Sequence, residues 1–154
     1  MKLTTTSTNP LQLAWWSSDA IVYFIGAGRP IASVKIGVTI WKSAKKRLAA
    51  IQSSNHEQLE LIGVLPFRGT PYPMKEAEDR ERLLHAQFRE LQRFPEGSRG
   101  CEWFTAAPEF LMWIEANSKK PEEFDFVRFV SMQTGPKTSR QSQRPRAAVA
   151  HLER

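Results

Sequence analysis

The chain has 154 residues, an ordinary apolar share of 41% and a formal net charge of +6, which fits one globular domain with a real core. No apolar run approaches the roughly 20 residues that cross a bilayer, and the opening MKLTTTSTNPLQLAWW lacks a signal peptide's continuous apolar region, so a cytoplasmic protein without a membrane partner is expected. The single cysteine, Cys101, excludes an intramolecular disulfide and a cysteine-based zinc cluster; it reads as a small half-buried apolar residue rather than a nucleophile.

Residues 1–18 are rich in Thr, Ser and Asn and read as a mobile segment. Within it, Trp15 and Trp16 either cover an edge of a sheet or form a stacking platform for bases, with packing favoured. Ile21–Ile25 is a short apolar run rich in β-branched and aromatic residues, which predicts a strand. Gly26-Ala27-Gly28-Arg29-Pro30 is a turn. Ser33–Thr39 alternates Val34, Ile36 and Val38 on one face with Lys35 and Gly37 on the other, so the two runs form a hairpin. The spacing Gly26-x-Gly28 hints at a dinucleotide-binding turn, but Ile31 stands where the third glycine belongs and the second strand follows at once. No helix N-terminus is left for a pyrophosphate.

A helix is predicted over 42–53, with Ala44, Leu48 and Ile51 as its apolar stripe and Thr39 or Ser43 at its start. Arg47 sits at the stripe's border, where an arginine either snorkels or serves a site. Leu59–Pro66 is a third strand. The longest helix is expected over 75–94, with Ala77, Leu84, Phe88 and Leu91 facing in. Glu81 and His85 lie four apart, one above the other on its face. Residues 95–100 form a turn and 101–105 a short extended piece. A last helix begins near Pro108 and runs to about Asn117, burying Phe110, Leu111, Trp113 and Ile114. Residues 124–131 fit a strand or a short helix equally. Four of the six net positive charges fall in 136–154, a stretch expected to be a disordered basic tail that either attracts phosphate backbones or aids solubility.

Taken in order, Val22-Tyr23-Phe24-Ile25, Val34-Lys35-Ile36-Gly37-Val38-Thr39, Lys46-Arg47-Leu48, Glu81-Arg82-Leu83-Leu84-His85-Ala86-Gln87-Phe88 and Glu102-Trp103-Phe104 resemble a GIY-YIG nuclease domain, and more closely its phage and restriction-linked branch, whose second motif reads KIG. The resemblance implies an α+β fold, a small three-stranded antiparallel sheet flanked by helices, over 19–118, with 119–135 as an extension. It also implies a metal-dependent endonuclease that hydrolyses DNA phosphodiester bonds, or a non-catalytic DNA-binding or protein-interaction module on the same fold. An RNA substrate stays open.

Residue by residue, the resemblance makes Tyr23 the group that orients or deprotonates the attacking water. Lys35 and Arg47 would lower its pKa, and Arg47 would stabilise charge at phosphorus. Glu81 would bind one divalent metal, Mg²⁺ by preference, and His85 would be a second base or phosphate donor. Gly37 would permit close backbone approach. Glu102 either buttresses Arg47 or lies on the surface. The first motif lacks its glycine (Ile21-Val22-Tyr23) and the second has Lys35 where a tyrosine is usual. With no second DNA-binding domain beyond the tail, target specificity would come from a homodimer or a partner protein.

Overall fold

In a computed structural model, residues 9–95 and 97–128 are described. The N-terminal eight residues and the basic tail, including the last part of 124–131, lie outside them. The described chain is α+β, built on a four-stranded antiparallel sheet in the order β3-β1-β2-β4. Its strands are β1 (Ala20–Ala27), β2 (Ser33–Ile40), β3 (Leu59–Phe67) and β4 (Trp103–Thr105). The expected sheet had three strands. The fourth is only three residues long and joins β2 through Ser33↔Thr105, Val34↔Phe104 and Lys35↔Trp103.

Strand β1 is central, paired with β2 on one side and β3 on the other, and every residue in it is buried. That burial on both faces explains why it reads as an unbroken apolar run instead of an alternating one. One face carries Val22, Phe24, Val34 and Ile36 and packs against helix α3 (Pro73–Gln87) through Met74, Ala77 and Leu84, and against helix α4 (Pro108–Asn117) through Phe110 and Ile114. The opposite face carries Ile21, Tyr23 and Ile25 and packs against Ala44 and Leu48 of helix α2 (Ala44–Ser53) and against Phe126. The alternation predicted for β2 therefore holds, with its aliphatic residues toward α3 and Lys35 and Gly37 on the α2 side.

Three expectations change. Residues 10–16, read as part of a mobile segment, form helix α1 (Pro10–Trp16). Pro10 at its first position and the Asn9 side chain, which accepts from the Leu11 amide at 2.9 Å, start it. Its tryptophans dock on α3 and the loop before it. Trp16 meets Tyr72 edge-on at 6.5 Å and lies under the Lys75 ammonium at 5.5 Å, while Trp15 donates its indole N–H to Glu78 at 2.9 Å. The long helix ends at Gln87 rather than 94. A short 3₁₀ turn, Arg89–Leu91, then swings the chain back so that Arg93 N–H bonds Trp103 O at 3.0 Å; a longer helix would carry these residues past β4. Residues 121–124 form a 3₁₀ turn, Asp125 takes a left-handed conformation at φ 59° and Phe126 drops into the core beside Trp41. The described part of 124–131 is thus neither a strand nor an α-helix.

Candidate functional site

The site is assembled around Gly37, at a place where β2 has an unpaired edge. Strand β4 covers β2 only as far as Lys35, so the Ile36 carbonyl is left for the His85 ring, whose Nε2 lies 3.2 Å away. The same nitrogen is 3.3 Å from Glu81 Oε1. Both neighbours are acceptors, so the pattern assigns the hydrogen to Nε2. Phe104, edge-on to the ring at 5.2 Å, holds its plane. Helix α3 belongs to one face of the sheet, yet through this edge it presents Glu81 and His85 toward residues of the other.

On that other face Tyr23 stands opposite Gly37 across the β1–β2 ladder. A Cβ at position 37 would come within 2.3 Å of the Tyr23 hydroxyl oxygen. The glycine is therefore a steric requirement: any side chain there would expel the phenol. In the space it leaves, the hydroxyl feels the Arg47 guanidinium of α2 and, more weakly, the charges of Glu102 and Glu81. The Tyr23 hydroxyl thus lies within electrostatic reach of both Arg47 and Glu81, although the three residues come from β1, α2 and α3.

The electrostatics bear on the role expected of Tyr23. Tyr23 is 1% exposed, and burial raises its pKa above the ordinary phenol value; Arg47 pulls it down, but Glu102 and Glu81 add to the rise. Lys35 does not help to ionise it. Its ammonium, on a nearly buried side chain, is ion-paired with Glu102 and lies 5.9 Å from the Trp103 ring. Glu102 accordingly pairs with Lys35 and not with Arg47. Burial thus favours the protonated phenol over the phenolate.

Glu81 is pushed in the same direction. Burial raises its pKa first; His85 and Lys35 oppose this, while Glu102 and Glu78 add to it. A carboxylate crowded by two others and partly stripped of water is one that a divalent cation would stabilise. Among the described residues no three His, Cys, Asp or Glu side chains form a ligand group, so a metal at Glu81 would keep most of its ligands from water and substrate, as Mg²⁺ commonly does.

The surface divides these groups between adjoining clefts. Lys35 and Arg47, with Ile51, Asn55 and Trp103, line one of about 280 Å³. Glu81 and His85 open into a larger one of about 760 Å³, whose wall includes Cys101. Tyr23 lies beneath both and lines neither. Sequence reasoning missed one residue that positions the site. Gln52, buried at the inner face of α2, accepts from the Leu59 amide at 2.8 Å and donates to Glu57 O at 2.9 Å, which fixes the helix carrying Arg47 to the start of β3.

Among the described residues no helix is long and apolar enough to cross a membrane. No curated protein and no solved structure matches the chain. Residues 20–128 match the family model of the T5orf172 domain, and the GIY-YIG family is not matched. Membership of the GIY-YIG family, expected from the ordered motifs, is therefore corrected. The departures in those motifs have a physical counterpart: the first-motif glycine is missing, and the lysine that replaces the second-motif tyrosine is committed to Glu102. The T5orf172 domain is associated with nuclease-like and DNA-binding functions in a phage-like context, which gives a coarse role in acting on or binding DNA. The match extends over well over half of the sequence, and the chain belongs to the T5orf172 domain family.

Proposed function

We propose that the protein is a metal-dependent endonuclease that hydrolyses DNA phosphodiester bonds at the edge of β2. The observation that carries this reading is the Tyr23 hydroxyl packed over Gly37, where it feels both the Arg47 guanidinium and the Glu81 carboxylate, groups supplied by three elements. Arg47 faces a cleft and has the planar fork that suits two phosphate oxygens. It would bind the scissile phosphate and neutralise charge as it develops there. Glu81 would hold Mg²⁺, which when bound supplies charge compensation at phosphate oxygens. His85, through its Nε2 hydrogen, keeps the Glu81 carboxylate oriented. Tyr23 acts as a fixed hydroxyl behind the cleft: it steadies Arg47 and does not take the proton. Lys35 holds Glu102 in place at the wall of the Arg47 cleft.

Supercoiled plasmid with Mg²⁺ tests the reading. Wild type should nick, and Arg47→Ala and Glu81→Ala should each lose about 10²–10³-fold in rate, the usual cost of removing one charge-stabilising group. Cleavage that survives both changes would end the assignment. The buried neutral phenol and the compensated lysine favour a second reading, a DNA-binding module without turnover. No cleavage by wild type, with salt-sensitive binding retained, would select it.

A further inference from the structure

Helix α2 and the end of α1 frame a third cleft, which shares only Arg47 with the proposed chemistry. It holds about 280 Å³ and is lined by Trp15, Thr39, Ile40, Ser43, Lys46, Arg47 and Ala50. Trp15 is 44% exposed, an unusual state for the largest apolar side chain. It is nevertheless not loose, because its indole N–H is donated to Glu78 of α3 at 2.9 Å. The bond uses the ring's only polar atom and leaves its apolar faces without a hydrogen-bonding task. The rest of the wall is mainly methyl and methylene, closed by two cationic side chains, Lys46 and Arg47.

The charge that α2 brings to this cleft is positive, while the Glu78 carboxylate on the far side is engaged by the Trp15 indole N–H. Helix α2 begins AKKRLAAIQS and contains no acidic residue. Lys42, Lys45 and Lys46 are exposed, and none of them is in an ion pair among the described residues. A flat, anchored aromatic ring beside unpaired cations fits a ligand that is flat and apolar at one end and anionic at the other. Arg47 belongs to this cleft and also to the one it shares with Lys35. A ligand lodged here therefore places its anionic end on the same guanidinium as the phosphate proposed above.

We infer that the Trp15 cleft is a nucleobase subsite, which takes one unpaired base of a DNA strand whose backbone crosses Lys46 and Arg47. The inference rests on the reading of the neighbouring site as one that handles DNA, and it gives that reading a substrate class: DNA with an unpaired or extruded nucleotide beside the bound phosphate. Stacking on an aromatic ring is sequence-tolerant, because every base has a π-face. The subsite thus selects strand structure and not sequence. A base held within a duplex stack cannot reach it without unpairing.

The test compares binding of the full-length protein to a short fluorescein-labelled single strand and to a blunt duplex of the same length, by anisotropy. Trp15→Ala should weaken single-strand binding about fivefold or more, the size of one lost stacking contact, and leave duplex binding within about twofold. The salt dependence should keep its slope, since every cation remains. Trp15→Phe should retain most of the affinity while reducing the DNA-induced quenching of tryptophan emission expected of wild type; this readout does not depend on the alanine variant folding. Equal losses on both DNAs, no loss on either, or unchanged quenching in Trp15→Phe would each overturn the subsite. Plasmid nicking by the same proteins separates it from the nuclease reading. If wild type never nicks but the single-strand preference disappears with Trp15, the subsite stands and the nuclease falls. If nicking is intact and Trp15 is indifferent to strand structure, the subsite falls alone.

Discussion

At the scale of single residues, Tyr23 makes a pH dependence that can be signed. Its folded pKa lies above that of an exposed phenol, chiefly because burial penalises the phenolate. Below about pH 10 both states hold the proton and the contribution to stability is complete. As pH rises further, the unfolded chain loses the proton first, and stability falls until the folded value is passed. Tyr23→Phe removes that dependence, so thermal melts should show a steeper alkaline loss for wild type than for the variant, with the difference absent at pH 7. Lys35 and Glu102 give a second residue-level test. Lys35 is almost fully covered while Glu102 is partly open to solvent, so Glu102→Gln should strand a buried charge and cost about 1–3 kcal/mol in urea unfolding. Lys35→Met with Glu102→Gln should recover most of that loss. A double variant as unstable as the sum of the two singles would mean that the pair does not interact.

Among the elements, α2 depends most on a contact that has no sequence signature. Gln52 ties the helix end to Leu59 N–H and Glu57 O, and Gln52→Ala should leave those groups without partners and cost about 1–3 kcal/mol. Urea unfolding measures this directly, and a loss under a few tenths would show that water replaces the side chain. The strands were legible because β1 and β2 carry their burial pattern locally: a continuous apolar run in one, strict alternation in the other. The start of α4 was legible for the same reason, through Pro108 and the apolar residues that follow. The end of α3 was not, since Phe88 and Leu91 continue the helical spacing and only the need to return to β4 stops the helix. Gln52 reads as a polar residue near the end of an amphipathic helix, and Lys35 is 67 residues from its partner. Such pairings exist only once the chain has folded. Tyr23, Lys35, Arg47 and Glu81 could be named from ordered motifs, but the burial that raises the phenol's pKa could not.

Across the whole molecule, the segment after α4 is part of the fold. Lys119 bridges to Val64 of β3, the Arg128 carbonyl accepts from the Leu61 amide at 2.7 Å, and Phe126 is buried with Trp41 and Phe124 around it. The family match runs to residue 128 and so includes this segment. Phe126→Ala should cost about 3–5 kcal/mol, in the range for deleting a buried aromatic ring. An unfolding midpoint equal to that of wild type would mean that the segment rests on the surface and does not complete the core.

The shortness of β4 has a consequence for local opening. Amides of β1 are bonded within a ladder on both sides and should exchange hydrogen only through global unfolding, whereas a three-residue strand at the sheet's rim can detach at much lower free energy. Glu102 immediately precedes that strand. Each fraying of β4 therefore loosens the carboxylate that neutralises Lys35, and the positive charge of the Arg47 cleft rises and falls with the rim of the sheet while its centre stays closed.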